Sequence, residues 1–145
     1  MLRYMLDTDM CSYVMKRSSD PLLRRLRRVP PGEVCISVVT KAELLYGVEL
    51  SPRKPQDAAA LEAFLPHVDV LEFPDAAAMH YAEIRADLKR SGQMIGSNDL
   101  LIAAHARGLG LTLVTNNVRE FGRVKQLSVE NWTRSARNTR SSRSS

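Results

Sequence analysis

No stretch of this 145-residue chain approaches the roughly 18 consecutive apolar residues of a membrane span. Its first residues, Met1-Leu2-Arg3-Tyr4-Met5-Leu6-Asp7, lack the apolar run and cleavage site of a secretion signal. Cysteine is scarce. Cys11 and Cys35 are too few for a disulfide framework or a four-ligand zinc site, and with no flanking motif they read as packing residues. Neither a P-loop nor a dinucleotide fingerprint is present. The three histidines, His67, His80 and His105, form no metal-spaced pair and read as structural or surface residues. These absences lead to the expectation of neither a membrane-spanning helix nor a disulfide-stapled secreted domain, and the common nucleotide-binding motifs are missing. They leave a cytoplasmic protein with reduced thiols as the simple expectation.

The chain does have the means to build a core. Apolar residues make up 44% and charged residues 26%, ordinary values for one globular domain of this length. The net charge of +5 says little about that domain, because Arg134, Arg137, Arg140 and Arg143 supply four of the charges and leave residues 1–132 at +1. The end of the chain, 135–145, has one Ala as its only apolar side chain and cannot offset the entropy of ordering. The body is therefore expected over residues 1–132, followed by a disordered Arg/Ser-rich tail over 133–145. A local concentration of charge runs from Lys16 to Arg28, with six basic residues against Asp20. It reads either as a solvated helix face or as a nucleic-acid contact.

Strand and helix patterns alternate along the body. Tyr4-Met5-Leu6 reads as a first strand ending at Asp7, with Thr8 or Asp9 capping a helix that buries Cys11, Val14 and Met15. Pro30-Pro31-Gly32 breaks the chain, and Val34 to Val39 is apolar enough for a buried parallel strand. Thr40 then begins a helix ended by Pro52 and Pro55, and Gln56 to Leu65 forms another. A strand over Val68 to Phe73 precedes a helix capped by Asp75 and stopped at Gly92. Asp99 opens a strongly apolar helix that stops near Gly108, and strands follow over Leu111–Thr115 and Leu127–Trp132. Such alternation predicts an α/β domain with a mainly parallel sheet covered by helices.

Open parallel sheets bind ligands at the carboxyl ends of their strands, so ionisable groups at strand-to-helix junctions are the first candidates. Asp7 ends the first strand, Glu43 lies in the first turn of the helix begun by Thr40, Asp99 opens the apolar helix, and Asn116 and Asn117 follow a late strand. Each has a structural explanation. Thr40 and Glu43 have capping-box spacing, and acids suit helix N-termini. Together they mean more, because acids converging on one rim repel unless a cation joins them. Oxygen ligands without a Cys/His cluster point to Mg²⁺ or Mn²⁺, ions that commonly share their shell with phosphate. A phosphodiester is then the natural substrate.

Four segments carry a family resemblance: Met5-Leu6-Asp7-Thr8-Asp9, Ile36 to Gly47, Ile95 to Ala106, and Val114 to Phe121. In this order and spacing they resemble the PIN-domain ribonucleases, and among them the VapC toxins of bacterial toxin–antitoxin pairs. The similarity spans about residues 2–132. It implies a PIN-like three-layer fold and a toxic, metal-dependent endoribonuclease that hydrolyses phosphodiester bonds in structured RNA, tRNA foremost. It implies Asp7, Glu43 and Asp99 as catalytic acids and metal ligands for Mg²⁺ or Mn²⁺. Glu43 acts either through water or by positioning the attacking water. Asn117 stands at a fourth catalytic position that is often Asp, where Asn can hold water or a phosphate oxygen but adds no charge. Thr8, Asn98, Thr115 and Asn116 are assigned to substrate contact. The resemblance further implies a homodimer and a VapB-type antitoxin partner that blocks the acidic pocket. Lys16–Arg28, or Lys89 and Arg90, are candidate phosphate contacts for RNA.

Two rival readings differ in class. Asp7-Thr8-Asp9 imitates the nucleophile motif of haloacid-dehalogenase-type phosphatases, but Met10 stands where that motif wants Thr or Val. A PIN-fold module that binds RNA or protein without cutting is the other.

Overall fold

The computed structural model describes residues 1–134. Five parallel strands form one sheet: β1 (Tyr4–Leu6), β2 (Val34–Ser37), β3 (Asp69–Leu71), β4 (Thr112–Val114) and β5 (Val129–Glu130). Their spatial order is β3-β2-β1-β4-β5. Starting from β1, the chain builds outward through β2 to β3, then returns to lay β4 on the other side of β1. The connection from β1 runs to one side of it and the return from β3 crosses to the other, so the carboxyl ends of β1 and β4 lie side by side at the switch point where open α/β sheets form their binding crevice.

The strands alternate sides as the period-two pattern requires. Met5 joins a core with Ile84, Leu88, Leu100, Ile102, Leu113 and Phe121. Tyr4 and Leu6 join another on the opposite face with Met10, Leu22, Ile36, Leu61, Phe64 and Trp132. Helices α5 (Ala77–Ser91), α6 (Ser97–Gly108) and α7 (Val118–Phe121) supply the first core. The second is covered by α1 (Thr8–Lys16), α2 (Asp20–Arg28) and α4 (Lys54–Phe64), and α3 (Val38–Leu50) adds Leu44 to it. The result is the expected three-layer α/β architecture. Gly92 adopts φ 69° and ends α5, the left-handed position for which glycine was expected.

Several local expectations are corrected. β2 stops at Ser37, and α3 begins at Val38 rather than Thr40, because the Ser37 hydroxyl caps the Val39 N–H at 3.1 Å. Glu43 thus sits in the second turn of α3, and no Thr40–Glu43 capping box exists. Asp7 itself is the N-cap of α1, in place of Thr8 or Asp9. Asp75 does not cap α5; the helix starts two residues later, with the carbonyls of Pro74 and Asp75 accepting from Ala77 and Ala78. The basic run is divided. Arg17, at φ 52°, ends α1, and Ser19 caps a new helix, α2, with Pro21 in its first turn. The Arg/Ser-rich tail lies, from residue 135 on, outside the described residues.

Candidate active site

Four chain segments bring their polar ends to the crevice: the β1–α1 junction, α3, the start of α6 and the β4–α7 segment. Asp7 leaves β1 with its backbone N–H bound to the Val114 carbonyl of β4 at 3.1 Å. Its side chain is 4% exposed and fully occupied on its inner edge. Oδ1 accepts the Met10 N–H at 2.9 Å, and Oδ2 accepts the hydroxyl of Thr115, the first residue after β4. These bonds favour the carboxylate, yet burial outweighs them, and Asp9 and Asp99 add repulsion, so the Asp7 carboxyl is pushed up to about 7.

Asp99 sits in the first turn of α6, where the helix dipole favours an anion. It is nonetheless pushed up to about 6, first by partial burial and then by Glu120, Glu43 and Asp9. Glu120 is the largest of the charges that act on Asp99. Glu43 projects from α3 and is held at both oxygens. The Thr8 hydroxyl donates to Oε1, and Asn98 Nδ2 donates to Oε2 at 3.1 Å. The rim therefore gathers Asp7, Glu43, Asp99 and Glu120, with Asp9 nearby. Its negative charges are answered by hydroxyls and amides, whereas the ion pairs Arg3–Glu33, Lys54–Glu49, Arg107–Glu83 and Lys125–Asp87 lie elsewhere.

The residues expected to touch substrate are engaged in holding this rim. Thr8 and Asn98 orient Glu43, and Thr115 orients Asp7 while accepting the Asn117 N–H at 2.9 Å. Asn116 Nδ2 donates to the Tyr13 hydroxyl at 3.0 Å, tying the β4 exit to α1. Asn117 donates from Nδ2 to Glu120 at 2.9 Å. Glu120 is the acid that sequence reasoning missed. The signal was available in the three-residue spacing Asn117-Val118-Arg119-Glu120, which puts both side chains on one face of the short helix α7.

All donors at the rim are oxygens, the set preferred by a hard divalent cation. Among the described residues, no three acid, histidine or cysteine side chains are already closed into a group that could hold a metal ion. Mg²⁺ is commonly held by one or two carboxylates and completed by water and phosphate, and Asp7 and Asp99 are two such carboxylates. Burial and neighbouring acids raise the Asp7 and Asp99 carboxyls, a cost that a cation would offset. Thiol chemistry has no place here. Burial pushes the Cys35 thiol up to about 12 and raises that of Cys11 too.

Comparison with known proteins shows the family to which this fold belongs. The PIN domain family matches residues 4–127. A VapC ribonuclease of Haemophilus influenzae is 46% identical over 132 residues, covering 91% of this chain and 99% of the relative. A tRNA(fMet)-specific endonuclease VapC of Shigella flexneri is 44% identical over the same shares. Among solved structures, a VapBC complex of Rickettsia felis bound to a promoter DNA fragment matches with TM-score 0.85 and 39% identity, over 90% of this chain and 99% of that one. The chain belongs to the PIN-domain family. Within it, the chain stands among the VapC ribonucleases, RNA-hydrolysing enzymes.

Proposed function

We propose that this protein is a metal-dependent endoribonuclease that acts as the toxin of a toxin–antitoxin pair and cuts structured RNA, with a tRNA as the foremost substrate. The observation that carries this reading is the acidic rim at the carboxyl ends of β1 and β4, where burial first, and neighbouring acids second, push the Asp7 carboxyl up to about 7 and that of Asp99 to about 6. Asp7 and Asp99 are the side chains that would hold Mg²⁺ or Mn²⁺. When bound, the ion supplies positive charge against a phosphodiester and makes a water easier to deprotonate. The chain's own residues do the rest. Thr115 and the Met10 N–H fix Asp7 through one bond to each carboxylate oxygen, which leaves each oxygen able to accept again. Thr8 and Asn98 fix Glu43, and in this reading Glu43 orients an attacking water. Glu120 adds a fourth carboxylate where Asn117 adds none, and Asn117 steadies it.

The relatives that suggest tRNA and an antitoxin are the tRNA(fMet)-specific endonuclease and the VapBC complexes. In this reading the protein works in the cytoplasm with a VapB-type partner and as a homodimer. Among the described residues no helix is long and apolar enough to cross a membrane.

The test is cleavage of total bacterial RNA by the purified chain with Mg²⁺ or Mn²⁺. Discrete cuts that disappear with EDTA, with Asp7→Asn and with Asp99→Asn support the nuclease. RNA retention without cutting would instead favour a non-catalytic binding module.

A further inference from the structure

Helices α3 and α6 carry Glu43 and Asp99, and they are joined at two levels. At the rim, Asn98 of α6 donates to Glu43 of α3 at 3.1 Å. In the core, His105 Nδ1 lies 2.8 Å from the Ser37 hydroxyl oxygen. Asn98 and His105 are separated by about 10 Å along α6, at 1.5 Å per residue. Ser37, the N-cap of α3, lies about 9 Å before Glu43 by the same rise. The two rungs therefore match in spacing on helices running in opposite senses, and the inner rung is fully buried at both ends.

The proton at that rung can be assigned. Ser37 Oγ already accepts the Val39 N–H that starts α3, and its own proton needs an acceptor. His105 is kept neutral by burial, which lowers its basicity. If Nδ1 accepts from Ser37, the ring proton is on Nε2, which has no hydrogen-bond partner among the described residues. The opposite tautomer strands both the hydroxyl proton and a bare ring nitrogen in the core. Phe73 meets the ring edge-on, with centroids 5.4 Å apart, and limits its rotation.

We propose that His105 is a positioning residue of the nuclease site, its bond to Ser37 fixing the register of α6 against α3 and thereby the placement of Asp99 relative to Glu43. The inference rests on the nuclease reading above. His105 lies outside the crevice and touches no reacting atom. Its contribution is alignment, to which rates are sensitive because a displacement of about 1 Å can cost about 100-fold.

The experiment compares the full chain with His105→Leu, His105→Asn, Ser37→Ala and the Ser37→Ala/His105→Leu pair. Steady-state cleavage of an RNA hairpin with Mn²⁺ and thermal unfolding are measured on each. Asparagine keeps an acceptor near the Nδ1 position and leucine does not. The expected result is a fall in kcat of about 10–100-fold for His105→Leu and for Ser37→Ala, with KM changed by less than about 3-fold. His105→Asn recovers most of the loss, and the double variant is no worse than either single one. Two-dimensional ¹⁵N spectra of the metal-free chain should show the Nε2-protonated tautomer. A folded His105→Leu with wild-type kcat, or equal losses in Leu and Asn, overturns the inference. Should the leucine variant not fold, Ser37→Ala and the tautomer decide, and wild-type kcat in that variant or an Nδ1-bound proton overturns it. In these cases wild type still cuts and Asp99→Asn does not, so the nuclease reading survives. Absence of cleavage by wild type overturns both.

Discussion

The Thr115 hydroxyl donates to Oδ2 of Asp7, joining the exits of β4 and β1 at a single buried carboxylate. This bond and the Met10 N–H pull the Asp7 proton affinity down, yet desolvation and the neighbouring acids win. The site is thus strained electrostatically in the metal-free chain, and its consequences are measurable.

Metal-free protein should lose stability as pH rises. The folded chain keeps the Asp7 proton up to about 7, whereas the reference carboxyl releases it near 3.8. Between those values the native state binds more protons than the unfolded state, so stability is greatest below this window and falls through it. Asp7→Asn removes the cost. In EDTA at neutral pH it should stabilise the fold by about 1–3 kcal/mol and flatten the pH dependence, as read by thermal unfolding. A lower melting temperature in the variant contradicts the account.

Glu120→Gln addresses the acid beside Asp99. With that charge removed, the Asp99 titration midpoint should drop from about 6 toward the ordinary carboxylate range, because Glu120 is the largest charge acting on it. Side-chain carboxyl NMR of the metal-free chain follows this directly. An unmoved midpoint would mean that burial alone raises Asp99. RNA cleavage by the same variant should fall.

The basic run is divided in its duties. Arg25 is committed to the fold, 3.4 Å from Glu130 and with its guanidinium 4.9 Å above the Trp132 ring. Arg24, Arg27 and Arg28 are exposed on α2. Reversing these three should weaken RNA binding and reduce the slope of log affinity against log salt by about 0.7 per lost phosphate contact. The melting temperature should change little. An unchanged slope removes α2 from the RNA surface.

Leu22, on the inner side of the same helix, has no exposed surface. Leu22→Ala should cost about 2–5 kcal/mol in chemical denaturation, with the same m-value. A loss under about 1 kcal/mol would show that α2 is not fixed to the sheet as described.

The sheet and Asp7 were legible because the apolar run of β1 gives way abruptly to an acid, whereas Glu43 in the second turn of α3 and Asp99 in the first turn of α6 were legible through the resemblance carried by the segments around them. Helix starts were less so. Val38 and Val39 look like strand residues, and only the Ser37 hydroxyl capping Val39 decides that the helix has begun. The role of Thr8, Asn98 and Thr115 was hidden for another reason: each bonds an acid distant in sequence, so no local pattern announces the pair. Glu120 escaped notice because its importance depends on α7 folding back toward α6. His105 looked like one more buried histidine, and its partner is 68 residues away.

The most direct test of the cation site is titration of the purified chain with Mn²⁺ at pH 6, followed by calorimetry in two buffers of different ionisation heat. Binding should release protons, since the Asp7 carboxyl and part of the Asp99 population are protonated there and must ionise to ligate. Asp7→Asn and Asp99→Asn should each weaken binding by at least about tenfold. Wild-type affinity in both variants, or binding with no proton release, would contradict the assignment of this crevice as the metal site.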